Sequence, residues 1–266
     1  MMAARLRILT LFLSVCCLTA HGQDLRTGVA TPDGGFLAAG ECLAWLDADG
    51  NVLRLKPLKR PLTAMTAVGE RLYALDADGR ELIGLDANGA VDAREKLPVK
   101  GHLRALGADG DVLWVVTDAG EIAHRYSGSA WTVFDFNAQY AGYYPRMEFR
   151  AVAAGGGGVM VAGLRPDGTP AAFTSARGTV WSERTLDYTS DGFSFTFSAV
   201  PVSLSYDASQ DRFYLAGSGG TLLALPGCSH CNVLTRHPAE TLFARIAGSA
   251  GVLLLGSHAF LRVEGR

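Results

Sequence analysis

Residues 62–96 read LTAMTAVGERLYALDADGRELIGLDANGAVDAREK. Four short runs rich in strand formers (62–68, 71–75, 81–86 and 91–96) alternate with three tight turns. Two of the turns, Asp76-Ala77-Asp78-Gly79 and Asp86-Ala87-Asn88-Gly89, carry residues that cap their own turn and a glycine for positive φ. The spacing predicts one antiparallel four-stranded sheet, with strands A (inner) to D (outer).

The same unit recurs. Val112–Val116, Asp118-Ala119-Gly120 and Glu121–Ala123 repeat its centre, and so do Phe213–Ala216, Gly217-Ser218-Gly219-Gly220 and Thr221–Leu225. The glycines closing the B–C turn are Gly40, Gly79, Gly120, Gly168, Gly220 and Gly256, separated by 39, 41, 48, 52 and 36 residues. A period near 40 with four strands per unit predicts an all-β β-propeller. Six blades follow, at about 26–58, 62–96, 102–136, 148–186, 200–236 and 240–266, the last with runs for A, B and C only. A β-sandwich or an open solenoid is the alternative, and the regular period argues against the sandwich. Capped helical patterns are absent. Trp45, Trp114, Trp131 and Trp181 are the expected fillers between blades.

Residues 1–22 read as a signal peptide: Arg5 and Arg7, the apolar run Ile8–Leu18, then Ala20-His21-Gly22 before a cut at Gln23. A single domain, 23–266, remains. No run reaches the length of a membrane span, and Val15 before Cys16 fits a lipoprotein signal poorly. The expected location is the periplasm or the cell exterior, where disulfides persist. At 48% hydrophobic and 19% charged residues the chain is too apolar for disorder. A formal charge of −2 excludes a strong attraction to nucleic acid.

Gly128-Ser129-Ala130-Trp131 and Gly178-Thr179-Val180-Trp181 share a Gly-x-x-Trp spacing at the C–D turn. The second, within Thr174–Trp181, resembles the Asp box of bacterial neuraminidase repeats, with Ala176 in place of the Asp and Val180 in place of the Thr. By this resemblance the chain is similar to sialidase-like and photosystem II assembly-factor-like propellers, and to exported propellers of no assigned activity. The resemblance implies architecture and carries no catalytic residues across. Phe149-Arg150-Ala151-Val152 keeps only the first two residues of the sialidase Phe/Tyr-Arg-Ile-Pro element.

Two wide gaps in the period hold the candidate binding residues. Residues 137–147 include Tyr140, Tyr143, Tyr144 and Arg146; residues 187–199 include Tyr188, Phe193, Phe195 and Phe197. Both segments join D to A, so both emerge on one face. Aromatics on long loops over a rigid scaffold suit protein or glycan recognition; the plainer reading is packing, with the phenylalanines on an extra edge strand. Arg104 and Arg150 fall at matching places in strand A, where they could face the channel and attract an anion. Cys228-Ser229-His230-Cys231 is read as a disulfide stapling a C–D turn on the opposite face, with free thiols, a metal clip or a redox pair as alternatives. Cys42 is expected as a buried thiol. The Asp-rich turns lack the further carboxylates that calcium needs, so neither metal nor cofactor is expected. No catalytic motif is legible, which favours a non-catalytic scaffold for a protein or glycan. The other readings are a carbohydrate hydrolase with carboxylates at the channel mouth and a cell-envelope assembly factor.

Overall fold

The protein is described by a computed structural model covering residues 25–190, 193–225, 232–235, 242–248, 251–256 and 260–263. Residues 1–24, where the sequence predicts a leader, and Cys228 and Cys231 lie outside the described residues.

Blade 1 comprises β1 (Leu25–Ala30), β2 (Phe36–Gly40), β3 (Cys42–Leu46) and β4 (Val52–Pro57). Blade 2 comprises β5 (Leu62–Val68), β6 (Arg71–Asp76), β7 (Leu82–Leu85) and β8 (Val91–Glu95). Blade 3 comprises β9 (Leu103–Asp109), β10 (Val112–Thr117), β11 (Glu121–Tyr126) and β12 (Thr132–Asp135), followed by one helical turn, α1 (Phe136–Gln139). Blade 4 comprises β13 (Glu148–Gly155), β14 (Gly158–Leu164), β15 (Pro170–Ser175) and the short β16 (Ser182–Arg184). A separate hairpin, β17 (Asp187–Ser190) and β18 (Phe193–Thr196), precedes blade 5: β19 (Pro201–Asp207), β20 (Arg212–Gly217), β21 (Thr221–Leu225) and β22 (Asn232–Thr235). Blade 6 comprises β23 (Leu242–Gly248), β24 (Gly251–Gly256) and β25 (Phe260–Val263).

The fold is therefore the expected β-propeller: among the described residues, five blade sheets of four antiparallel strands and one of three, with the β17–β18 hairpin as a separate two-stranded sheet. Each A strand packs beside the next, and β23 returns to β1, so the sheets close into a ring. Closure covers both faces of every sheet, which one blade alone could not do. Six apolar clusters follow, one between each pair of neighbouring blades. All four tryptophans lie in these seams, with Trp114 and Trp181 buried between blades 3 and 4. Cys42 is fully buried in the seam of blades 6 and 1, where burial pushes its thiol pKa up.

The turns explain their own composition. Asp47 accepts hydrogen bonds from the backbone of Asp49 and Asn51, and Asp86 from that of Asn88 and Ala90. Their carboxylates are spent on turn geometry. At the C–D turn of blade 4, Ser175 Oγ accepts from Gly178 N at 2.8 Å, and Trp181 Nε1 donates to Gly178 O at 3.2 Å. The other Gly-x-x-Trp turn differs: Trp131 Nε1 donates across the seam to Glu95 of blade 2 at 2.7 Å.

Candidate functional site

In an up-and-down sheet, successive connections lie at opposite ends. The B–C turns and D–A connections thus share one face, called the loop face below; the A–B and C–D turns share the other. Segments 137–147 and 187–199 both rise on the loop face.

The first segment is pinned to the seam between blades 3 and 4. Tyr140 and Tyr144 pack against the core of Phe136, Phe149, Phe173 and Trp181. Tyr140 Oη accepts from Trp181 N at 2.8 Å and sits 3.2 Å from Trp181 O. Asn137 clasps the far end, accepting from Met147 N and donating to Met147 O and Ala119 O. Asp135 caps α1 through Ala138 N and pairs with Lys100 at 2.9 Å, and that lysine holds its carboxyl below the usual range. The segment is fixed, and it turns Tyr143 outward at 84% exposure, with Arg146 exposed nearby. A cavity of about 480 Å³ lies beneath it, lined by Lys100, Glu121, Asp135, Tyr144 and Arg146 among others.

In the second segment the backbone forms the β17–β18 hairpin, with Tyr188 on β17 opposite Phe195 and Phe193 on β18 opposite Ser190. Phe197, just beyond, is buried in the seam of blades 4 and 5, while Phe195 is 46% exposed. The hairpin shares both readings: one phenylalanine packs, another stands out.

Arg104 and Arg150 do occupy equivalent places, and the equivalence is wider than the sequence suggests. Every A strand breaks register near its start, between its first and third residues or, in β13, its second and fourth. The residues skipped by the strand pairing are Arg26, Thr63, Arg104, Arg150, Val202 and Phe243 in ring order. A bulge of this kind re-aims one side chain. Leu62 packs toward blade 1 and Ala64 toward blade 3; Leu103 toward blade 2 and Ala105 toward blade 4; Phe149 toward blade 3 and Ala151 toward blade 5. The residue between each pair joins neither seam, and on an innermost strand it is left to the channel mouth at the loop face. Arg104 pairs with Asp118 at 2.6 Å and Arg150 with Glu148 at 2.7 Å. Arg26 lies 5.8 Å from the ring centre of Phe243, which joins the first and last blades. The sequence alone pointed to two members; Arg26 is a third arginine, and Thr63, Val202 and Phe243 share only the backbone irregularity.

A larger cleft, about 1000 Å³, opens between blades 4 and 5 on the opposite face. Its walls include the Gly155–Gly158 turn, Arg177, Arg184 and Tyr206. Gly155 and Gly156 are required there, since a Cβ would stand 2.0 Å and 2.5 Å from atoms of Tyr206. Among the described residues, no group of three His, Cys, Asp or Glu is placed to hold a metal ion.

No protein-family model matches the chain, and no curated protein matches it. Solved structures of similar shape include a chain of a nidogen/laminin complex, at 16% identity and TM-score 0.58 over 82% of this chain and 83% of that one. A catalytically inactive virginiamycin B lyase from Staphylococcus aureus with quinupristin matches at 11% identity and TM-score 0.59, over 89% of this chain and 78% of that one. A streptogramin B lyase matches at 13% identity and TM-score 0.57, over 88% and 76% of the two chains. At these identities the likeness is one of fold: a β-propeller that others use for binding and for catalysis. No helix among the described residues is long and apolar enough to cross a membrane.

Proposed function

We propose that this propeller is an exported, non-catalytic scaffold that binds a protein partner on its loop face. The observation that carries this is the 137–147 segment. Tyr140 and Tyr144 anchor it in the core, and Tyr143 and Arg146 project from a fixed support. Tyrosine and arginine held rigidly over a scaffold are the residue types that dominate protein interfaces. A glycan platform would want several exposed aromatics, and two of the three tyrosines here are spent on packing. Asp118 and Glu148, the carboxylates tied to the channel ring, are neutralised by Arg104 and Arg150, which favours binding over hydrolysis. The nidogen/laminin neighbour makes protein recognition a natural use of the shape. Export rests on the leader at 1–22, and the Cys228–Cys231 disulfide is proposed with it. The kinship with sialidase-like propellers is proposed as one of architecture.

The test uses the chain from Gln23 as bait in an envelope-extract pull-down beside a glycan array. Tyr143→Ala/Arg146→Ala serves as the binding variant. A protein captured by the wild type and lost with that variant supports the reading. Capture unchanged in the variant, or binding to glycans alone, overturns it.

A further inference from the structure

We propose that the cleft between blades 4 and 5, on the face opposite the loops, is a second binding site that takes an amphipathic organic anion, with an oxyanion head and an apolar body. This site is independent of the loop-face reading. Its origin is a packing gap that begins in the sequence. The four tryptophans fill the seams of blades 1 and 2, 2 and 3, and 3 and 4, and none occurs after Trp181. Trp131 and Trp181, at the C–D turns of blades 3 and 4, each close the seam with the preceding blade. No tryptophan does this between blades 4 and 5. The A–B turn beside that seam, Gly155–Gly158, has no side chains to offer either. What is left is the opening of about 1000 Å³, within the size range of small-molecule sites.

The walls of the cleft differ in chemistry. Met160, Phe213 and Leu225 give it an apolar floor, and the ring of Tyr206 lies 5.0 Å from that of Phe213. The cationic wall follows from strand alternation. In β15, Phe173 packs toward blade 3 and Ala172 toward blade 5, so Thr174 shares the face turned to blade 5. In β16, Glu183 stands opposite Phe173, while Ser182 and Arg184 stand opposite Thr174 and Ala172. Glu183 is therefore on the blade 3 side, where it pairs with Arg165, and Arg184 is left to the cleft. Arg184 Nε donates to Thr174 Oγ1 at 2.7 Å. That bond fixes the guanidinium and leaves its terminal nitrogens without a partner among the described residues. Arg177 lines the same cleft from the C–D turn, and its side chain makes no ion pair among the described residues. The two carboxylates on the walls are bonded to hydroxyls instead: Asp211 accepts from Tyr206 at 2.5 Å and Asp187 from Thr196 at 2.6 Å. Two guanidiniums thus stand unpaired beside an apolar floor. Their planar donor forks match an oxyanion, and an apolar body laid on the floor would leave water.

The experiment is isothermal titration calorimetry of the chain from Gln23 with 2-naphthoate, 2-naphthyl phosphate, decanoate and the uncharged 2-naphthylmethanol. At least one of the anions should bind, more tightly at low salt, and at least tenfold more tightly than the alcohol. Comparison among the anions separates a carboxylate from a phosphate head and a ring from an acyl body. Arg177→Gln/Arg184→Gln should weaken that binding at least tenfold. Lys59→Gln/Arg80→Gln, which removes the same charge from exposed positions on the loop face, should leave it unchanged. Ser182→Trp, which sets a large ring on the cleft side of β16, should abolish it. Thermal melting confirms that each variant folds. No binding by any of the anions, equal affinity for the alcohol, equal loss in the loop-face control, or undiminished binding by Arg177→Gln/Arg184→Gln overturns the proposal. The loop-face reading is tested apart from it, because protein capture through Tyr143 and Arg146 should be indifferent to Arg177→Gln/Arg184→Gln.

Discussion

Asp207 and Arg245 join the A strands of blades 5 and 6 by a charge pair at 2.6 Å, with side chains only 5% and 4% exposed. Burying two ions is costly, and the pair is supported by further contacts on both sides, although Arg245 Nη1 is buried without a hydrogen-bond partner. Asp207 also accepts from the backbone and hydroxyl of Ser209. Arg245 lies 3.7 Å from the ring centre of Tyr214, whose hydroxyl is itself bonded to Gln210. Burial alone would raise the Asp207 pKa, but the Ser209 and Arg245 bonds outweigh it and hold the carboxyl below its ordinary 3.8. A carboxylate so lowered takes up its proton later in the folded chain than in the unfolded one. Its stabilisation is present above that ordinary value and lost as pH falls through the lowered one. Removing one partner leaves the other charge buried, so Arg245→Met should cost about 3–5 kcal/mol in urea unfolding at neutral pH. Arg245→Met/Asp207→Leu should recover much of the loss. A single variant as stable as wild type would show that the pair contributes nothing net.

At the scale of elements, much of the fold was legible and the site was only partly so. The strands β5 to β8 fall within a residue or two of the runs read from Leu62 to Lys96. That stretch states its turns in Asp, Asn and Gly, and local hydrogen bonds enforce them. The helical turn α1 and the bulges were not legible. Four residues give too little periodicity for a helix, and a bulge is a backbone event compatible with arginine, threonine, valine or phenylalanine. Nor could the sequence say which tyrosine of 137–147 packs, because that depends on Phe173 and Trp181 of the next blade. The anchoring role of Tyr140 has a direct consequence. Tyr140→Phe deletes the acceptor for Trp181 N–H while keeping the ring. An unsatisfied buried donor costs about 1–3 kcal/mol, so the melting temperature should fall, while Tyr143→Ala should leave it unchanged. Equal effects at the two positions would contradict the division between anchor and platform. Across the same seam, Gly178 has φ +74 and a Cβ there would stand 2.5 Å from Trp114. Gly178→Ala should therefore destabilise more than the intrinsic glycine-to-alanine difference, through both strain and overpacking.

On the scale of the whole molecule, the described strands close the ring with none shared between the first and last blades. Among the described residues, blade 1 draws all four strands from its own segment and blade 6 draws three from its own. The seam between them is held by side chains: Phe36, Ala38, Ala44 and Leu46 against Ala244, Ile246, Leu253 and Leu255. Gly28 permits the contact, since a Cβ there would stand 2.4 Å from Ile246 Cδ1. The other five seams join blades that are also consecutive in the chain, so their separation is limited by covalent connection. Only this seam brings together segments more than 180 residues apart, and in a repeat architecture each interface contributes nearly independently. It should therefore be the first to open. Ile246→Ala removes a buried side chain at its centre and should cost about 2–5 kcal/mol. In native-state hydrogen exchange the amides of β1, β23 and β24 should lose protection before those of β10 and β14. The variant should widen that gap while leaving β10 and β14 nearly as protected as before. Uniform loss of protection around the ring would mean instead that closure is as strong as any other seam and the propeller opens only as a whole.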